Sequence, residues 1–279
     1  MAQSLYQITT LFRLNDWHLP IFRAVQEFTE AKRVLYPGSY KHISPSLFLP
    51  NVTYNDFDIK MKQFFDDEEV LKWVENNKFY KEEAKIKFIN QDFNQIFEEL
   101  NSFDLMISSC AGIVSKECSK YLKVGGYFLV SDAHSDARAT FLMPEFSFEA
   151  VFDSSKKILD FSDTAKCGHF ITTQGNAITQ IMVEESIRIP RSKRKFKIQK
   201  EEIFLSKIVT LSKSNVYLEK CVNSIDKQNA PRFAELVKYE IIGADQFHDQ
   251  SYNKNYGSSR LWKQIMGTNL VLGFSEQLF

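Results

Sequence analysis

"RVLYPGSYKHISPSLFLP", residues 33–50, decides how this chain is read. Val34, Leu35 and Tyr36 form a short apolar strand that runs into Pro37-Gly38-Ser39. Ser44 followed by Pro45 then starts a short helix that stops near Pro50, since serine caps a helix and proline needs no amide in the first turn. A strand that ends in a glycine turn before a helix is how phosphate- and nucleotide-binding loops begin. Such loops usually carry two further glycines, and here the chain offers Tyr40, Lys41 and His42 instead.

Working outward, apolar runs alternate with longer segments of helical period. Residues 16–32 read as an amphipathic helix with Ile21, Phe22, Val25 and Phe28 on one side. After the first strand come a second (52–57), a long helix through residues 58–79, and a third strand (84–92). A short helix over 93–100, a fourth strand (103–109), a helix over 114–122, a turn at Gly125-Gly126 and a fifth strand (127–132) complete the series. Alternation of this kind predicts an α/β fold, a Rossmann-like and mainly parallel sheet with helices on both faces. Residues 146–153 and 157–161 read as antiparallel strands, residues 169–189 hold β-like stretches, and 213–222 reads as a last strand. The expected organisation is one domain over 1–224 and a helical C-terminal extension over 225–279.

In such a sheet the C-terminal ends of the strands share one edge, and ligands bind there where the strand order reverses. Five segments are expected at that edge: Tyr36-Pro37-Gly38-Ser39, Asn55-Asp56, Gln91-Asp92, Ser108 to Gly112, and Ser131 to His134. Nearly all their residues are small or polar, whereas the strands that feed them are apolar. They read as the lining of one cleft.

With these residues in place, 16 to about 160 resembles the class I S-adenosylmethionine-dependent methyltransferases. Gly38 matches the first glycine of the family's nucleotide loop, and Asp56, 18 positions later, its acidic residue at the end of the second strand. "FDLMISS" is similar to the fourth strand, and "YLKVGGYFLVSD" to the family's glycine turn and fifth strand. "YPGSYKHISPSL", "YNDFD" and "SDAHSDA" are similar, more narrowly, to a set of uncharacterised bacterial methyltransferase-like proteins. The resemblance implies S-adenosylmethionine as cofactor. Asp56 would bind the ribose hydroxyls and Asp92 with Phe93 the adenine. Gly38, Ser39 and Lys41 would seat the methionine part, with Tyr36 and Ser108 also lining the site.

The departures fall inside the loop. Tyr36 stands where the family has an acidic residue, and Tyr40 and His42 where it has glycines. Those glycines admit the cofactor because no side chain intervenes, so Tyr40 and His42 must point away or reshape the pocket. Lys41 and the amides near Ser44 are the candidates to compensate.

"DAHSD" (132–136) supplies the chemistry candidates. His134, just past the fifth strand, is the expected general base, with Asp132 or Asp136 to orient its ring. The same spacing could hold a metal only with ligands from elsewhere, and none is expected. A structural His134, bonded to nearby backbone, is the plainer alternative. Cys110 reads as a small buried thiol, and His42 as cover for the start of the next helix.

Composition limits the classes. Lys+Arg and Asp+Glu both number 35, so no global field steers the chain to nucleic acid or to an anionic membrane. Residues 188–200 hold seven basic residues with Phe196 and Ile198 between them. That run could meet phosphates, but reads first as a solvated connector. Four cysteines without paired spacing suggest neither a disulfide framework nor a zinc site. No signal peptide or membrane span is read, which leads to the expectation of a cytoplasmic protein. The expected function is transfer of a methyl group to a small molecule or metabolite. The alternative is a catalytically inactive methyltransferase fold that serves as a binding or regulatory module. A nicotinamide enzyme is the weakest reading, because G-x-G-x-x-G is absent. Oligomeric state and acceptor are not legible.

Overall fold

In the computed structural model, residues 18–166, 168–196 and 203–209 are described. They form an eight-stranded sheet in the order β3-β2-β1-β4-β5-β8-β6-β7. The strands are β1 (Val34–Pro37), β2 (Asn51–Asp56), β3 (Lys85–Asn90), β4 (Phe103–Ser108), β5 (Leu122–Ser131), β6 (Phe146–Asp153), β7 (Ile158–Asp160) and β8 (Ile203–Ile208). The first five pair in parallel, with Val34 opposite Val52 on one side and Leu105 on the other. β8 lies antiparallel between β5 and β6, and β7 pairs antiparallel with β6. The expected Rossmann-like α/β architecture is the one observed. Its switch point falls between β1 and β4, where the order runs outward through β2 and β3 on one side and β5 on the other.

Strand alternation divides the core. Val34, Tyr36, Tyr54, Leu105, Ile107 and Leu129 face one cluster. Onto it pack helices α1 (Leu19–Thr29), α2 (Ile59–Phe65) and α3 (Glu68–Asn77). In α1 the buried residues Ile21, Phe22 and Val25 make the apolar stripe. Glu30, at φ 49°, ends the helix by returning its amide to the Gln26 carbonyl, short of the expected residue 32. Met106 and Ser108 face the other side. There lie α4 (Val114–Cys118), α5 (Asp136–Leu142) and α7 (Gln180–Ser186), while the short α6 (Asp163–Lys166) neighbours β6. The Cys118 thiol is buried on that side, and burial pushes its pKa up to about 12.

Several expected elements differ. The long helix over 58–79 is two helices, because Asp58 and Asp67 each cap a helix with a carboxylate that accepts an amide two residues on. Residues 93–100 are not helical. Asp92 Oδ1 takes the Asn94 amide, while the Tyr121 hydroxyl takes the Phe97 amide and donates to the Gln95 carbonyl. Local and tertiary partners thus satisfy groups that a helix would have used. Gly125 and Gly126 lie within β5, where pairing with β4 is interrupted between Phe103 and Leu105. Residues 180–186 are helical, and the β-like stretch before them contributes isolated bridges, Ile171 with Ala177 and Thr172 with Phe196. The expected strand 213–222, the boundary at 224 and the extension 225–279 lie outside the described residues. No helix among the described residues is long and apolar enough to cross a membrane.

Candidate functional site

Because β1 to β5 are parallel, Pro37, Asp56, Asn90, Ser108 and Ser131 end on one edge, and the loops expected to share a cleft are brought together. At the switch point the loops after β1 and β4 touch. Gly38 has φ 61°, and a Cβ placed on it would stand 2.3 Å from the Ala111 Cβ and 4.0 Å from the Phe93 ring. Both facts demand glycine here, one for backbone conformation and one for space.

The Asp56 carboxylate organises the next turn. Its Oδ2 accepts the Tyr40 amide at 3.1 Å and its Oδ1 the Asp58 amide at 3.0 Å. The residue is 9% exposed. Tyr40 takes φ 47°, the left-handed conformation a glycine would adopt, and turns its side chain outward, 59% exposed. The His42 ring folds the other way, among His18, Phe22 and Tyr36, with Nδ1 2.9 Å from the Tyr36 hydroxyl. Both side chains at the missing-glycine positions therefore leave the turn itself clear.

The remaining cofactor candidates divide. Ser39 is buried, its amide donating to the Asn55 carbonyl at 3.1 Å. Tyr36 is a core residue beside Tyr54, and its hydroxyl serves His42. The Lys41 ammonium lies 6.0 Å from the Phe64 ring centroid. Asp92 is exposed and caps its own turn through Asn94. Phe93 lines the Gly38 contact. The Ser108 hydroxyl donates to Asp136 at 2.6 Å. Ser44 does not cap a helix: residues Ser44–Leu47 form a buried 3-10 turn, inside the core instead of at the cleft.

The loop after β5 corrects the expected dyad. Asp132 is paired with Arg138 through Oδ2 and accepts the Arg138 amide on Oδ1. Asp136 is 1% exposed and receives four hydrogen bonds, from the Ser108 and Ser115 hydroxyls and the Val114 and Ser115 amides. Burial pushes its carboxyl above the usual carboxylate range, against the pull of those donors. Neither carboxylate makes a hydrogen bond to His134. That imidazole is exposed, with no hydrogen bond or ion pair to a described residue. No group of three His, Cys, Asp or Glu among the described residues could hold a metal ion. Cys110 is exposed, not buried, at φ 61°, and its amide donates to the Ser131 hydroxyl at 3.4 Å.

Ala111 fell within a segment expected at the edge, whereas sequence reasoning missed Arg138, the inward bonds of Arg194 and the side chain of Asn55. Asn55 donates to the Ile89 and Gln91 carbonyls, while its buried Oδ1 has no partner among the described residues. Only its place beside Asp56 pointed to it. Within the basic run, Arg194 bonds the loop after β5, and Phe196 is buried under the Arg138 guanidinium. Lys193 and Lys195 are exposed.

No protein-family model and no curated protein matches this sequence. Among solved structures the chain is similar to the YcgJ protein of Bacillus subtilis: 13% identity over 68% of this chain and 97% of that one, TM-score 0.38. It is also similar to the 1,6-didemethyltoxoflavin N1-methyltransferase of Burkholderia thailandensis, whose structure holds S-adenosylhomocysteine: 11% identity over 75% and 85%, TM-score 0.35. Against the cyclase SpnF it shows 16% identity over 40% of its length, spanning less than half (44%) of that protein, TM-score 0.32. These likenesses carry no argument of their own, and the Rossmann-like fold rests on the order and direction of the strands.

Proposed function

We propose that this chain is an S-adenosylmethionine-dependent methyltransferase acting on a small molecule. One observation carries the reading: an acidic residue, Asp56, ends β2 beside the switch point, with its carboxylate fixed by the turn that follows β1. A carboxylate in that position suits two vicinal ribose hydroxyls, because each oxygen retains acceptor capacity after taking one amide. The fit extends to Gly38, where a side chain is excluded, and to Asn55 Oδ1, a buried acceptor without a donor among the described residues. In this reading Gly38, Ser39 and Lys41 seat the methionine part, and Asp92 and Phe93 the adenine. Tyr36 and Ser108 support the site from behind, one through His42 and the other through Asp136.

When bound, the cofactor supplies a sulfonium methyl group open to displacement. The protein has to align an acceptor with that group and exclude water. His134, on the loop after β5, is the residue available to take a proton from the acceptor. It acts without an orienting carboxylate of its own, since Asp132 is held by Arg138.

The second reading, a catalytically inactive binding module, is favoured by the contact of Gly38 with Ala111. That contact brings the two loops flanking the switch point against each other. Calorimetric titration of S-adenosylmethionine and S-adenosylhomocysteine into the wild type and Asp56→Ala separates the readings. Binding that weakens at least about tenfold in the variant supports the methyltransferase. Absence of binding to a folded wild type sinks it and leaves the module.

A further inference from the structure

The turn that carries His134 is braced more heavily than a surface connection requires. Its first residue, Asp132, is buried and paired with Arg138, and the Ser135 amide closes the turn on the Asp132 carbonyl at 3.1 Å. Ser135 is fully buried and held at φ 67°, a conformation that non-glycine residues rarely adopt. The directions of the surrounding bonds follow from counting hydrogens. The Ser186 hydroxyl donates to the Val183 carbonyl at 2.6 Å, so its oxygen accepts from Ser135 at 2.8 Å. The Ser135 hydroxyl oxygen is then free to accept from Arg194 Nη1, 3.2 Å away. The same Nη1 donates to the Ala133 carbonyl at 3.0 Å. Arg194 therefore grips both neighbours of His134, while the imidazole between them is exposed.

We infer that Arg194 is a positioning residue for His134. It stands at the head of a one-way chain of donors, Arg194 to Ser135 to Ser186 to the Val183 carbonyl, that fixes the turn through a member of the basic run. The run thus works inward at Arg194. The inference rests on the methyltransferase reading only for the role of His134 as a base.

The test uses the full chain with Arg194→Ala and Arg194→Lys. It follows amide hydrogen exchange of residues 132–138 and the imidazole NMR signals of His134 through a pH titration. In Arg194→Ala, exchange at Ala133 to Ser135 should rise about tenfold, as expected for loss of a charge-assisted bond, and the His134 signals should move. Arg194→Lys, which keeps one donor point, should restore part of both. Affinity for S-adenosylhomocysteine should stay within about twofold, since Gly38 and Asp56 lie on other loops. Exchange and His134 signals unchanged in Arg194→Ala overturn the inference. So does a loss of S-adenosylhomocysteine affinity that matches the loosening, for Arg194 would then support the whole edge. Should Arg194→Ala fail to fold, Ser186→Ala removes the next link of the chain and is read in the same way. A wild type that binds no S-adenosylhomocysteine refutes the functional reading, whereas the exchange data judge the anchor separately.

Discussion

Two carboxylates tie down the two halves of one sheet edge, and they work at different depths. Asp56 lies at the margin, with one backbone amide on each oxygen and with Tyr40 and Phe57 exposed on either side. Asp136 lies inside, with two donors on each oxygen, joining β4, α4 and α5. The shallow carboxylate keeps acceptor capacity for a ligand. The deep one is saturated and inaccessible, although it belongs to the stretch that looks catalytic in the sequence. Depth, more than residue type, separates a binding carboxylate from a structural one.

The sharpest way to break this contrast is Asp136→Ala. Four buried donors lose their acceptor, and denaturant unfolding should show a loss of about 3–5 kcal/mol. A loss under about 1 kcal/mol would mean that the deep site is not structural. The pH dependence follows from the raised pKa. The folded state holds the proton more tightly than the unfolded state, whose carboxyl titrates near about 3.9. Wild-type stability from this group therefore falls as pH rises from there through the folded value, and the penalty of the substitution shrinks over the same window.

Gly38→Ala tests the switch point. The added methyl meets the Ala111 side chain in a backbone conformation that disfavours it, so about 1–3 kcal/mol of stability should be lost. Ala111→Gly in the same chain should return part of it. A neutral Gly38→Ala would show that the two loops part at no cost.

At the shallow site Asp56→Ala should cost about 1 kcal/mol of stability, because two amides at a partly solvated margin can turn to water. Its cofactor affinity, by contrast, should drop at least about tenfold. A large stability loss instead would erase the distinction from Asp136.

The opposite edge offers a reference of the other sign. Asp104 accepts the Lys32 and Arg33 amides and pairs with Lys123. Burial works against its charged form, but the bonds from Lys123, Arg33 and Lys32 outweigh it and hold the carboxyl below the ordinary value. Stability from this group is present above the unfolded pKa, about 3.9, and is lost as pH falls through the lower folded value. The gap between wild type and Asp104→Asn, measured by thermal unfolding, should be open at neutral pH and close in acid.

The smallest effect belongs to Tyr40→Gly. It relieves a left-handed tyrosine but frees the unfolded chain, so stability should stay within about 1 kcal/mol of wild type. If the turn is a cofactor seat, affinity should be kept, because the Tyr40 side chain already points away.

The sequence by itself determined the five parallel strands, the glycine turn after β1 and the place of Asp56. Each of these depends on neighbours a few residues apart: apolar alternation, a φ that only some residues tolerate, and a strand that must end where polar residues begin. It located the edge for the same reason, since parallel strands linked by helices point one way. Tertiary structure alone decided which polar groups meet. Asp136 looks like a partner for His134 two residues away, yet its donors come from residues 108, 114 and 115. Asp132 takes Arg138, and the turn around His134 is gripped by Arg194 from some sixty residues away. Buried charges and hydroxyls must find partners wherever the packed chain provides them, and no local pattern records where that will be.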